Sequence, residues 1–62
     1  MSEKRLTVFE LADRWGVHHD TVYTMVRKKE LPHFRVGNRI LFREASIQKW
    51  ELEQELRSTN AS

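Results

Sequence analysis

The sequence predicts a small α+β domain, mainly helical, in which two short helices joined by a tight turn precede a two-stranded β-hairpin and a C-terminal helix. Three observations predict it. Leu11 to Arg27 holds two stretches of helical apolar spacing broken at Gly16. Phe34 to Phe42 alternates apolar and polar residues around Gly37-Asn38. From Glu44 the spacing is helical again. With 62 residues and no cysteine, there is room for one such domain and no disulfide to brace it.

The first helix is expected to start after Thr7. Thr7-Val8-Phe9-Glu10 has the form of a capping box, Thr at the N-cap and Glu at the third helical position, each bonding the other's backbone N–H. Leu6 and Leu11 can close a hydrophobic staple over it. Val8, Leu11, Ala12 and Trp15 make one apolar stripe. Gly16 ends the helix, with the positive φ that Gly adopts without penalty.

The second helix should run from about His19 to Lys28, with Val22, Met25 and Val26 inward and Val17 packed at its entrance. Asp20 suits the positive end of the helix dipole. His18 is a poorer N-cap than Ser, Thr or Asp, which predicts a fraying start. Pro32 stops the helix, and Leu31 before it is biased toward extended backbone. The end of such a helix commonly takes one left-handed residue; Lys29 is the favoured candidate, the alternative being that Lys29 stays right-handed helical.

The hairpin register can be argued from its faces. A two-residue Gly37-Asn38 loop pairs Val36 with Arg39 and turns Arg39 to the core. A three-residue Gly37-Asn38-Arg39 loop pairs Val36 with Ile40 and puts Phe34, Val36, Ile40 and Phe42 on one face, so the apolar pattern predicts the longer loop. Arg35, Leu41 and the loop then point away from the core.

The third helix is expected from Glu44 to Leu56, with Ile47 and Trp50 toward the core. Trp15 and Trp50 are expected to be buried around the four inward hairpin residues. Ala45, Leu52 and Leu56 fall near the opposite side, either as ordinary exposed apolar residues or as a partner surface. Residues 1–5 read as a flexible N-terminus, 6–57 as the folded domain and 58–62 as a disordered polar tail.

Net charge is only +2, but it is unevenly placed. Between Arg14 and Arg43 seven basic residues face two acidic ones, and from Glu44 onward acids outnumber bases four to two. The basic excess falls on the second helix and the hairpin, which implies a polyanionic partner. Other classes find no support. His18, His19 and His33 lack zinc-site spacing, and adjacent histidines at a helix start are expected to point in different directions, so neither a metal nor a cofactor is expected. There is no Gly-rich phosphate loop, no nucleophile with a base and orienter, and too little chain to enclose a small-molecule pocket, so the expectation is a non-enzyme. No apolar run approaches about 18 residues and the N-terminus has no signal-type apolar stretch, so a soluble cytoplasmic protein is expected, with no membrane contact.

In a helix-turn-helix the outward side of the second helix enters the DNA major groove. With Val22 and Met25 inward, His19, Asp20, Tyr23, Thr24 and Arg27 face outward, with His18 at the start and Thr21 beside them. Arg27 can bond guanine O6 and N7 or a phosphate. Tyr23 and Thr24 can reach phosphates or a thymine methyl. Asp20 is tolerable near DNA if it accepts from cytosine N4 or orients a basic neighbour. The tip Gly37-Asn38-Arg39, flanked by Arg35, suits a basic wing lying against the minor groove or the backbone.

These residues resemble the MerR-like winged-helix domains of phage and transposon excisionases. The resemblance is carried by Leu6-Thr7-Val8, Ala12, Trp15-Gly16-Val17, Thr21-Val22-Tyr23, Glu30-Leu31-Pro32, Arg35-Val36-Gly37, and Phe42-Arg43-Glu44-Ala45 through Trp50. It implies a winged helix-turn-helix that binds double-stranded DNA. By position it implies DNA contacts at His19, Asp20, Thr21, Tyr23, Thr24, Arg27 and Lys28, and at Arg35, Asn38 and Arg39. It also implies a recombination directionality factor that binds attachment-site repeats, often cooperatively, bends the DNA and assists a separate integrase. A small transcriptional regulator of a mobile element uses the same surface, and a protein–protein adaptor is the reading from another class. The chain departs from the family at His18, where Ser or Thr is usual, and at Lys29, where Gly is frequent.

Overall fold

The computed structural model describes residues 4–60, so the expectations for residues 1–3 and 61–62 lie outside the described residues. The elements follow as β1 (Arg5–Thr7), α1 (Val8–Trp15), α2 (His19–Arg27), β2 (Phe34–Val36), β3 (Arg39–Arg43) and α3 (Glu44–Asn60). Three helices and a small three-stranded antiparallel sheet make a winged helix-turn-helix.

The local signals account for the helix ends. Thr7 Oγ1 accepts the Glu10 N–H at 3.1 Å, and Glu10 Oε1 accepts the Thr7 N–H at 2.9 Å. Gly16 takes φ 67°, and the Val17 N–H closes back on the Ala12 carbonyl at 3.0 Å. α2 ends in the same way. Lys29 takes φ 58°, and the Glu30 N–H reaches the Met25 carbonyl at 2.9 Å. At the start of α2 the poor cap expected at His18 makes a cap bond. His18 Nδ1 accepts the Asp20 N–H at 3.1 Å, so a ring nitrogen does the work of a Ser or Asp oxygen.

The sheet corrects two expectations. Residues 5–7, assigned in part to a flexible N-terminus, form β1, which pairs with β3 through Leu6 opposite Phe42 and Thr7 opposite Leu41. The strand order is β1-β3-β2. The hairpin takes the two-residue loop, with Val36 opposite Arg39, Arg35 opposite Ile40 and Phe34 opposite Leu41. Gly37 has φ 61° while Asn38 keeps a negative φ, the Gly-first pattern of a tight hairpin turn. Directly opposed residues share a face, so Ile40 and Phe42 turn inward with Arg35, while Phe34 and Val36 lie on the other side. The physical reason is the third strand. Leu6 from β1 completes the apolar face beside Phe42, and the edge strand β2 need not contribute its own apolar residues. Phe34 is instead covered by the Arg43 guanidinium, 5.5 Å from its ring centre, and Val36 is exposed.

The core consists of Leu6, Val8, Leu11, Ala12, Val22, Val26, Leu31, Phe42 and Ile47. Trp15 and Trp50 are half-buried at its edge rather than buried, with ring centres 5.3 Å apart. Each keeps its indole N–H paired. Trp15 Nε1 donates to Glu51 Oε2 at 2.6 Å, and Trp50 Nε1 donates to the Glu30 carbonyl at 2.9 Å. A tryptophan whose polar end needs a partner sits at a rim where one is within reach. α3 runs to Asn60, so residues 58–60 of the expected tail are helical. Ala45, Leu52 and Leu56 are exposed on α3.

Candidate nucleic-acid interface

The cap at His18 and the left-handed turn at Lys29 fix the length of α2, and Val22 and Val26 fix its rotation by burying one side. On the other side Asp20, Thr24 and Arg27 form one stripe at helical spacing. Thr21 and Lys28 lie on one flank, and His19 and Tyr23 on the other. Asp20, Thr21, Arg27 and Lys28 are exposed, while His19, Tyr23 and Thr24 are half-buried. Thr24 turns its hydroxyl inward along the helix. It donates to the Asp20 carbonyl at 2.9 Å and accepts from Arg27 Nη2 at 3.2 Å, so it steadies the guanidinium.

The hairpin register decides what faces α2. Arg35, expected to point away, lies on the inward face with Ile40. Together they border an opening whose other wall is Asp20, Tyr23 and Arg27. A second opening runs from Tyr23 and Ile40 to Asn38, Arg39 and Leu41 at the hairpin end, with Phe9 of α1 on its rim. Tyr23 and Ile40 border both, so the two openings adjoin along a trough with α2 on one side, the hairpin on the other and Thr7, Val8 and Phe9 at one end. The trough gathers Asp20, Tyr23, Arg27, Arg35, Asn38 and Arg39. It does not gather His18 and His19 at the start of α2, Thr24, Thr21 and Lys28 on the far flank of α2, or Gly37 at the hairpin tip.

His18 and His19 meet at the start of α2. Their rings stack at 4.1 Å, which corrects the expectation that they point apart. Asp20 lies beside both, with its carboxylate oxygens 3.5 Å from His18 Nδ1 and 3.7 Å from His19 Nε2. His18, His19 and Asp20 thus offer ligating atoms within 4.8 Å of one another. His18 Nδ1 is already engaged as the cap of α2. The cluster therefore acts on the helix start, and it gives the Asp20 carboxylate two basic neighbours.

Arg14, counted in the basic excess, belongs elsewhere. It grips Glu51 through Nε at 3.2 Å and Nη2 at 3.1 Å and lies 3.6 Å from Glu44. The Trp15 hydrogen bond, aided by Arg14, holds the Glu51 carboxyl below the usual carboxylate range against the opposing effect of partial burial. The exposed cations along the trough are Arg27 on α2 and Arg35 and Arg39 on the hairpin. Sequence reasoning did not single out Phe9. The available signal was an aromatic residue lying off the Val8–Leu11–Ala12–Trp15 stripe.

No helix among the described residues is long and apolar enough to cross a membrane. No curated protein and no solved structure matched the chain. A family model described as a helix-turn-helix domain matches residues 5–55, a span that takes in every described element apart from the last residues of α3. The chain belongs to that helix-turn-helix domain family.

Proposed function

We propose that the protein binds duplex DNA sequence-specifically through the trough between α2 and the hairpin, and that it serves as an excisionase that assists a separate integrase. Family membership supports double-stranded DNA as the partner. The observation that carries the reading is the placement of Arg27 and Arg35 on opposite walls of one trough, with Arg39 farther along it. A helix in the major groove and a hairpin at the neighbouring minor groove must straddle the sugar-phosphate strand between them. The trough is where that strand lies.

The residue roles follow from this placement. Arg27, held by Thr24, donates to a guanine edge or a phosphate. Asp20 accepts from cytosine N4. Tyr23 lines the floor with its ring and offers its hydroxyl to the backbone. Arg35 engages a phosphate from the opposite wall. Arg39 and Asn38 engage the phosphates at the edge of the minor groove, where neutralising one face of the duplex favours bending. His18, His19, Thr21 and Lys28 flank the helix as additional phosphate contacts. The resemblance of residues 6–50 to excisionases supports the role in recombination.

Selection of bound duplexes from a random library, followed by an excision assay with an integrase, tests both parts. Repeated sites, bent DNA in permuted-position gels and stimulated excision are expected. A selected site that represses a promoter and leaves excision unchanged would identify a regulator of a mobile element instead. Failure to enrich any duplex, together with retention on an acidic protein partner, would identify an adaptor.

A further inference from the structure

We infer that Phe9 is a further DNA-contacting residue, and that the trough end it borders holds the deoxyribose of the strand whose phosphates Asn38 and Arg39 engage. This rests on the DNA-binding reading above. Phe9 is 59% exposed, although α1 has a complete apolar stripe without it. Its ring lies 4.8 Å from that of His19, which is in turn stacked on His18, so it is supported from the α2 side while much of its surface stays open. It borders the part of the trough formed by Tyr23, Asn38, Arg39, Ile40 and Leu41.

The chemistry of that trough end selects one occupant. Ile40, Leu41 and the Phe9 ring are apolar, while Asn38 and Arg39 are donors, and no carboxylate lines it. The nearest acid in sequence, Glu10, directs its carboxylate to the Thr7 N–H. A phosphodiester chain alternates anionic phosphates with apolar sugar faces, and it is the part of the duplex that must pass between α2 and the hairpin. Base edges face into the grooves, so a contact here is independent of sequence.

The test uses the full chain and a fluorescein-labelled duplex of mixed sequence, about two helical turns long, with affinity measured by anisotropy across a salt series. Phe9→Ala and Phe9→Gln are both expected to weaken binding about five- to tenfold with the salt slope unchanged, because an apolar contact releases no counterion. Arg39→Ala is expected to lower that slope by about one phosphate equivalent. Phe9→Leu is expected to stay within about threefold of wild type, since it keeps apolar contact with the sugar. Thermal midpoints of the Phe9 variants should stay near wild type, as the ring is largely exposed. Wild-type binding with unchanged affinity in Phe9→Ala and Phe9→Gln overturns this inference alone. So does a loss accompanied by a shallower slope, which marks displaced phosphate contacts. No binding by the wild type overturns the DNA reading and this inference with it.

Discussion

Lys29 closes α2 at φ 58°, a conformation in which a Cβ costs roughly 1 kcal/mol and glycine is free. The backbone bonds that define this turn, Lys29 N–H to Val26 and Glu30 N–H to Met25, do not depend on the side chain. Lys29→Gly is therefore expected to raise the thermal midpoint, by up to about 1 kcal/mol of stability. A lower midpoint, the outcome for a glycine placed inside a right-handed helix, would refute this. Arg27 and Arg39 are exposed and lie outside the core. Arg27→Ala and Arg39→Ala are each expected to weaken duplex binding by about 1–3 kcal/mol while far-UV circular dichroism stays unchanged. Anisotropy at moderate salt checks this, and wild-type affinity in both variants would contradict the assignment.

Among the elements, α1 and α3 are joined by a polar clasp rather than by apolar packing alone. Glu51 accepts from Trp15 and from both Arg14 nitrogens, and the two indoles pack beside it. Because the Glu51 carboxyl titrates lower in the folded chain than in the unfolded one, the clasp is complete above the ordinary Glu value of about 4.3 and is lost as pH falls through the lowered value. Thermal melts of the wild type should therefore lose stability on acidification below about pH 4.3. Glu51→Gln should lie about 1 kcal/mol below wild type at neutral pH and vary less with pH across that window. Parallel pH profiles of the two proteins would rule out the clasp. Trp15→Phe keeps an aromatic ring beside Trp50 but removes the N–H donor, and is expected to cost about 1 kcal/mol, well short of a core truncation.

For the molecule as a whole, the relevant charge is not the +2 total but the cations left over after folding. Folding ties Arg14 to Glu51 and Glu44, while Arg27, Lys28, Arg35 and Arg39 remain exposed on α2 and the hairpin. Four phosphate contacts correspond to a log-log salt slope of about −3 to −4. Duplex titrations from low to moderate salt should show that slope, and Arg14→Gln should leave it unchanged even if the variant is less stable. A slope that becomes shallower in Arg14→Gln would place Arg14 on the DNA.

What was legible in the sequence was whatever depends on a few neighbouring residues. The capping box at Thr7 and Glu10, the left-handed ends at Gly16 and Lys29 and the inward side of α2 are all settled by bonds or sterics within five or six residues. So is the outward stripe of Asp20, Thr24 and Arg27, because burying Val22 and Val26 leaves no other side for it. The hairpin register was not legible. Its apolar pattern fits a three-residue loop when β2 and β3 stand alone, but β1 joins across a gap in sequence and Leu6 supplies the inward apolar residue that Phe34 and Val36 were expected to provide. That long-range pairing turned Arg35 toward α2 and made the trough two-walled. The engagement of Arg14 with α3 and the meeting of Phe9 with His19 were likewise decided by packing between distant segments. The sequence by itself determined the helices and the outward face of α2; only the tertiary structure decided which basic residues share a surface with it, because charge is a property of a residue and a surface is a property of neighbours in space.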